Sequence, residues 1–167
     1  MFNTVLHQIT DPGNVGMILR SHAAFGGNKL VITGYDESFS LNRKFRNSSR
    51  SLYKQIELSE YKSFEEYGAV ARSNGESLIG VEITETAIDL PKFHFPENCS
   101  LVLGSEKYGL PGDIIKQCDA VVRIPLYGPV GSINVAIAAS IAMYELTRGR
   151  EGKQEVFERM YNFKPKN

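Results

Sequence analysis

The chain has 167 residues, 42% of them hydrophobic and none in a low-complexity tract, enough for one globular domain, residues 1–167, with a proper core. Lysine plus arginine and aspartate plus glutamate both number 19, so overall charge argues neither for nor against nucleic acid, and any such surface is a local patch. The apolar runs are too short to span a bilayer, the start MFNTVLHQITD lacks a signal peptide's basic and apolar regions, Cys99 and Cys118 form no CxxC pair, and His7, His22 and His94 show no metal spacing. The expectation is a soluble, cytoplasmic protein with no disulfide, no metal and no membrane contact.

Thr4–Ile9 reads as a short apolar strand, ended by the turn chemistry of Asp11-Pro12-Gly13-Asn14. Val15, Ile18, Leu19, His22, Ala23 and Phe25 then fall near helical spacing, with Gly26-Gly27-Asn28 as the stop. Leu30–Thr33 is a second buried strand. From Tyr35 to Leu52 the chain turns polar and carries Arg43, Lys44, Arg46 and Arg50, with Phe39, Leu41 and Phe45 to tie it down, and it reads as a part-helical surface segment. Gln55–Leu58 is a weak strand, Ser63–Asn74 a helix opened by a capping box at Ser63 and Glu66, and Ser77–Ile83 a further strand. Thr86–Asn98 is a proline-bounded connector. Ser100–Leu103 is a strand running into Gly104-Ser-Glu-Lys-Tyr-Gly109-Leu-Pro111, followed by a short helix to about Cys118 and a strand Ala120–Pro125.

The stretch Ile124–Leu146 couples a strand end, a glycine-rich loop and the most apolar helix in the sequence. A helix apolar nearly all round is buried on most sides, and here its first turn carries the polar groups Ser132 and Asn134. The tail from Gly149 reads equally as a docked helix or a frayed end. Alternating strands and helices of these lengths indicate an α/β domain with a mostly parallel sheet flanked by helices.

Three loops, Asp11–Asn14, Gly104–Pro111 and Tyr127–Asn134, each leave a predicted strand and enter a helix. In parallel α/β sheets ligands bind at the carboxyl ends of strands, so these loops are expected to meet in one crevice. None is a GxGxxG or GxxxxGK[ST] nucleotide loop. Asn14, Arg20, Glu106, Ser132 and Asn134 are the conspicuous polar residues there. Each also has a plain structural reading: Asn14, Ser132 and Asn134 as helix caps, Glu106 as a turn carboxylate, Arg20 and the Arg43–Arg50 cluster as solvated charges.

Asn14-Val-Gly-Met-Ile-Leu-Arg20 with Ala24-Phe-Gly26, then Leu103-Gly-Ser-Glu106-Lys-Tyr-Gly109-Leu110, then Ile124-Pro-Leu with Gly131-Ser132-Ile-Asn134-Val, form an ordered trio across nearly the whole chain. The trio resembles the three motifs of the SpoU/TrmH branch of the SPOUT RNA methyltransferases. Leu126 stands where that family usually has Met and Ile133 where it usually has Leu, both volume-conserving changes. The resemblance implies methylation of an RNA ribose 2′-OH by S-adenosylmethionine, a C-terminal trefoil knot, and a homodimer with the active site near its interface. It assigns the cofactor to Leu103, Gly104, Ile124, Leu126, Ser132 and Ile133. Arg20, Asn14, Glu106, Ser132 and Asn134 become the catalytic constellation, Arg20 as a fork that holds the target phosphate and favours the developing alkoxide. Arg20, Arg43, Lys44, Arg46 and Arg50 become the RNA contacts. The expected substrate is tRNA rather than rRNA, since no appended RNA-binding domain precedes the first motif. Two other readings stay open: a base methyltransferase, for which Glu106 is the acidic residue at hand, and a non-catalytic RNA- or nucleotide-binding protein on the same fold.

Overall fold

A computed structural model describes residues 2–34, 43–50 and 52–150; the expected anchors Phe39 and Leu41 and the tail beyond residue 150 lie outside them. The strands are β1 (Phe2–His7), β2 (Lys29–Thr33), β3 (Glu57–Tyr61), β4 (Ser77–Val81), β5 (Ile88–Asp89), β6 (Cys99–Leu103) and β7 (Ala120–Arg123). The helices are α1 (Pro12–Ala24), α2 (Arg43–Ser49), α3 (Phe64–Ser73), α4 (Gly112–Ile115) and α5 (Val135–Thr147). The strands form one sheet in the order β3-β2-β1-β6-β4-β7-β5, with every pairing parallel. The chain therefore steps outward from β1 to β3, crosses back to lay down β4, and inserts β6 between β1 and β4. Strand order reverses beside the β1/β6 pair, the place where parallel sheets open a crevice at their carboxyl ends.

Every residue of β1 and β6 is buried, because helices cover both faces of the sheet. Successive side chains still go to opposite faces. Leu6, Leu101 and Leu103 join Ile18, Leu19, Ala139 and Met143 in the core under α1 and α5, while Val5 and Val102 join Phe64, Tyr67, Leu110 and Ile114 under α3 and α4.

The expected elements are present, with shifted bounds. β1 begins at Phe2 and ends at His7, because Gln8 turns away with φ 54 while its N–H still reaches the Thr33 carbonyl at 3.1 Å. β3 starts two residues later than expected, where its pairing with β2 sets Lys29 opposite Glu57 and joins them in a 2.8 Å ion pair. The connector 86–98 contributes the short edge strand β5 on β7, which no periodicity announces in two residues.

Helix α1 is capped by Asp11, whose Oδ1 accepts from the Gly13 N–H at 2.7 Å, so Asn14 is not the cap but a buried residue of the first turn. Gly13 and Gly16 let α2 lie directly on α1: a Cβ on Gly16 would overlap the Ser48 hydroxyl and come within 2.9 Å of the Phe45 carbonyl. In α3 the Ser63 hydroxyl accepts from the Glu66 N–H, but Glu66 reaches back to the Lys62 N–H, one residue before the usual capping-box partner.

Helices α1 and α5 run side by side in the same direction, with Asn134 on Asn14, Ser140 on Ser21 and Tyr144 on Phe25. The Ser140 hydroxyl donates to the Ala136 carbonyl, so at the 2.7 Å Ser21–Ser140 contact Ser21 is the donor. The expectation that α5 is buried on most sides holds for Ala136, Ala139, Ala142, Met143 and Leu146. Ile137, Ile141 and Tyr144, at i, i+4 and i+7, instead form an exposed apolar stripe.

Candidate active site

The loop after β6 is built around Gly104. A Cβ there would overlap the Gly109 carbonyl group and the Leu110 nitrogen, because the loop folds back on its own start. Ser105 and Gly109 exchange backbone hydrogen bonds at 3.1 and 2.9 Å, and the Ser105 hydroxyl accepts from the Tyr108 N–H at 3.2 Å. Gly109 takes φ +64, a region that favours glycine. Glu82, just past the end of β4, accepts from the Leu110 N–H at 2.8 Å and holds the far side of the loop. The sequence reading missed Glu82, which fell inside the expected strand Ser77–Ile83; β4 in fact ends at Val81.

Glu106 ties this loop to the first one. Its carboxylate accepts four hydrogen bonds: the Thr10 N–H at 3.0 Å, the Thr10 hydroxyl at 3.2 Å, the Asp11 N–H at 3.0 Å and the Asn14 amide at 2.9 Å. Partial burial works against its charge, but the bonds from Asn14, Thr10, Asp11 and its own backbone outweigh that, and its pKa lies below the ordinary glutamate value. Asn14 in turn accepts the Asn134 amide at 3.1 Å, and the Asn134 Oδ1 caps α5 by accepting from Ala136 at 2.8 Å and Ile137 at 3.4 Å. A single chain of hydrogen bonds thus joins all three loops.

Between the carboxyl ends of β4, β6 and β7 the loops enclose a cavity of about 590 Å³. The six residues assigned to the cofactor, Leu103, Gly104, Ile124, Leu126, Ser132 and Ile133, all line it, as do Glu106 and Asn134. Val81, Glu82 and Tyr108 complete much of the wall. Asn14 sits behind Glu106 and Asn134 rather than in the cavity.

Arg20 does not line the cavity of its own chain. It lies six residues beyond Asn14, about 9 Å further along α1, on the exposed side with Met17 and Ala24, and has no hydrogen-bond or ion-pair partner among the described residues. Glu106, saturated elsewhere, does not orient it. Of the basic cluster, Arg43, Arg46 and Arg50 stand at exposed positions on or just after α2. Lys44 is paired with Asp11 at 2.7 Å, a contact that with the Gly13 N–H holds the Asp11 carboxyl below its ordinary pKa. Among the described residues no group of three or more His, Cys, Asp or Glu is placed to hold a metal ion, and no helix is long and apolar enough to cross a membrane.

The family model described as the SpoU rRNA Methylase family matches residues 1–144. The chain belongs to the SpoU rRNA methylase family. Within it, the chain is 34% identical over 142 residues to the tRNA (guanosine(18)-2′-O)-methyltransferase TARBP1 of Mus musculus, a match covering 84% of this chain and 9% of that protein. It is 32% identical over 148 residues to the 23S rRNA (guanosine-2′-O-)-methyltransferase RlmB of Acinetobacter baylyi, covering 88% of this chain and 59% of that one. The chain thus spans less than two thirds of either relative. Among solved SpoU structures it superposes on AviRb of Streptomyces viridochromogenes with a TM-score of 0.80 at 28% identity, covering 90% of this chain and 60% of that chain. A structure described for the 2-OH methylation of C/U34 on tRNA matches with a TM-score of 0.79 at 28% identity, covering 89% of this chain and 95% of that one. AviRb has also been solved in complex with the cofactor AdoMet, where the same fold gives a TM-score of 0.78.

Proposed function

We propose that this SpoU-family chain transfers a methyl group from S-adenosylmethionine to a ribose 2′-OH of RNA, with tRNA ahead of rRNA. The observation that carries the reading is the cavity itself: every residue that the sequence motifs assign to the cofactor lines it. Its volume lies within the roughly 300–1,000 Å³ of ordinary ligand clefts. Its apolar walls, Val81, Leu103, Ile124, Leu126 and Ile133, suit an adenine, and the carboxylates of Glu82 and Glu106 suit a cofactor that carries a sulfonium charge. The tRNA preference is supported by the tRNA-methylation structure, of which this chain covers 95%.

When bound, S-adenosylmethionine supplies an electrophilic methyl group on a leaving group that departs as a neutral thioether. The chain's task is then in-line placement of the acceptor oxygen and help with its proton. Leu103, Ile124, Leu126 and Ile133 enclose the cofactor, and the loops at Gly104 and Ser132 bring backbone groups to it. Asn14, Glu106 and Asn134 hold those loops in register with α1. Arg20, a guanidinium that keeps its charge, holds the phosphate of the target nucleotide and favours the alkoxide as the 2′-OH proton leaves to that phosphate or to water. Arg43, Lys44, Arg46 and Arg50 supply phosphate contacts beside it.

The same reading includes a homodimer. Ile137, Ile141 and Tyr144 on α5 and Met17 on α1 are exposed and apolar, α1 and α5 pack side by side, and the exposed Arg20 follows Met17 by three residues on α1. Covering that stripe with a second copy sets Arg20 at the subunit boundary, which fits its distance from the cavity of its own chain. The trefoil knot belongs to the reading too, as what the family motifs imply for the C-terminal region. Base methylation is disfavoured, because both carboxylates of the cavity wall, Glu82 and Glu106, already accept from backbone N–H groups. The test is nucleoside mass spectrometry of RNA from cells with and without the protein. Loss of a 2′-O-methyl nucleoside is expected; loss of a base-methylated nucleoside instead overturns the assignment.

A further inference from the structure

Tyr108 is the least economical residue on the cavity wall. It lines the cavity, yet its side chain is left 78% exposed at the rim. The loop that displays it is held from both sides: by the paired backbone bonds of Ser105 and Gly109, by Glu106 on the β1–α1 turn, and by Glu82 on Leu110. The Lys107 ammonium sits over the ring, 4.9 Å from its centroid, while most of the residue remains in water. An aromatic ring kept in water on a backbone that is already ordered is a stacking surface whose partner has little ordering cost left to meet.

We propose that Tyr108 is a substrate-positioning residue, the platform on which a nucleobase of the RNA stacks at the cavity mouth, with Lys107 steadying the ring. This rests on the reading that the chain acts on RNA. The cofactor's adenine is the less suitable occupant, because Leu103, Ile124, Leu126 and Ile133 offer it an enclosed apolar wall deeper in the cavity while the Tyr108 ring faces solvent. Stacking is sequence-tolerant, since every base has a π-face, so the platform positions the strand rather than reading it.

The chain contains no tryptophan, so Tyr108→Trp places a single indole at the proposed platform. Titration with a bulk tRNA fraction is expected to quench its emission, and S-adenosylhomocysteine alone is expected to leave it unchanged. Tyr108→Ala should raise the KM for tRNA about tenfold with cofactor affinity and kcat little changed, and Tyr108→Phe should restore it, since the ring and not the hydroxyl stacks. Because stacking releases no counterions, Tyr108→Ala should leave the salt dependence of RNA binding as it was, whereas removal of Arg43, Lys44, Arg46 and Arg50 should flatten it. Methyl transfer without RNA quenching overturns the platform and leaves the enzymatic reading standing. RNA quenching without methyl transfer does the reverse. Quenching by S-adenosylhomocysteine alone assigns the ring to the cofactor and overturns the proposal.

Discussion

The Asn14 side chain donates to Glu106 at 2.9 Å through its amide nitrogen and accepts from Asn134 at 3.1 Å through its amide oxygen. The amide orientation is therefore set by its two neighbours, and only an amide meets both demands. Asn14→Asp puts a carboxylate against the Glu106 carboxylate and removes one of the four hydrogen bonds that hold it. The expected result is a loss of about 1–3 kcal/mol in stability, read as a lower urea midpoint, together with weaker cofactor binding. An unchanged midpoint removes this amide from the support of the site.

Gly104 tests the cavity more selectively. Gly104→Ala forces the loop away from Gly109 and Leu110, so cofactor affinity measured by calorimetry should fall at least tenfold, a loss of about 1.4 kcal/mol. The sheet behind it is untouched, and far-UV circular dichroism should look like that of the parent chain. Retained affinity would mean that the 104–109 loop is not the cofactor's support.

Arg20→Ala should abolish methyl transfer while cofactor affinity stays near that of the parent, because the guanidinium lies outside the cavity of its own chain. The two quantities are measured in parallel on one preparation. Near-normal turnover would take Arg20 out of the mechanism.

The dimer surface is defined by which residues of α5 face outward. Ala142 is fully buried in the core, so Ala142→Glu should unfold the protomer itself rather than probe the interface. Ile141→Glu places the charge on the exposed stripe. It should leave each protomer folded and shift sedimentation from dimer to monomer, with loss of activity. A parent chain that sediments as a fully active monomer at low concentration would refute the shared boundary.

His22 gives the fold a pH signature. Its ring is buried, with Nδ1 2.9 Å from the Thr4 hydroxyl and Nε2 without a partner among the described residues, and burial pushes its pKa down to about 4. A histidine depressed below its unfolded value of 6.5 contributes stability that is fully present above pH 6.5 and is lost as pH falls toward 4. The loss across that window is roughly 3 kcal/mol. His7, also depressed by burial, acts in the same direction, and the depressed carboxyls of Asp11 and Glu106 add to it at lower pH. Urea unfolding at several pH values should show a shallower slope for His22→Gln than for the parent between pH 6.5 and 4. Equal slopes would place the titration elsewhere.

The amino-acid sequence by itself determined the order of the strands and helices apart from the two-residue β5, the three loops at strand ends and part of the cavity wall. These depend on local constraints: a glycine where the backbone must fold onto itself at Gly104, a run of apolar residues where both faces of a strand are covered at β6, an asparagine that caps α5. Only the tertiary structure decided the partners. Glu106 meets Thr10, Asp11 and Asn14 because β6 lies beside β1, a pairing such as Phe2 with Cys99 between distant segments that no local pattern encodes. Asp11, not Asn14, caps α1, because the first turn had two acceptors in reach and the packed position of Asn14 committed its amide to Glu106 and Asn134. The outward face of α5 was hidden for a related reason: alanine and isoleucine surround that helix, so periodicity marks no side, and the sheet and α1 chose which residues to cover and left Ile137, Ile141 and Tyr144 in water.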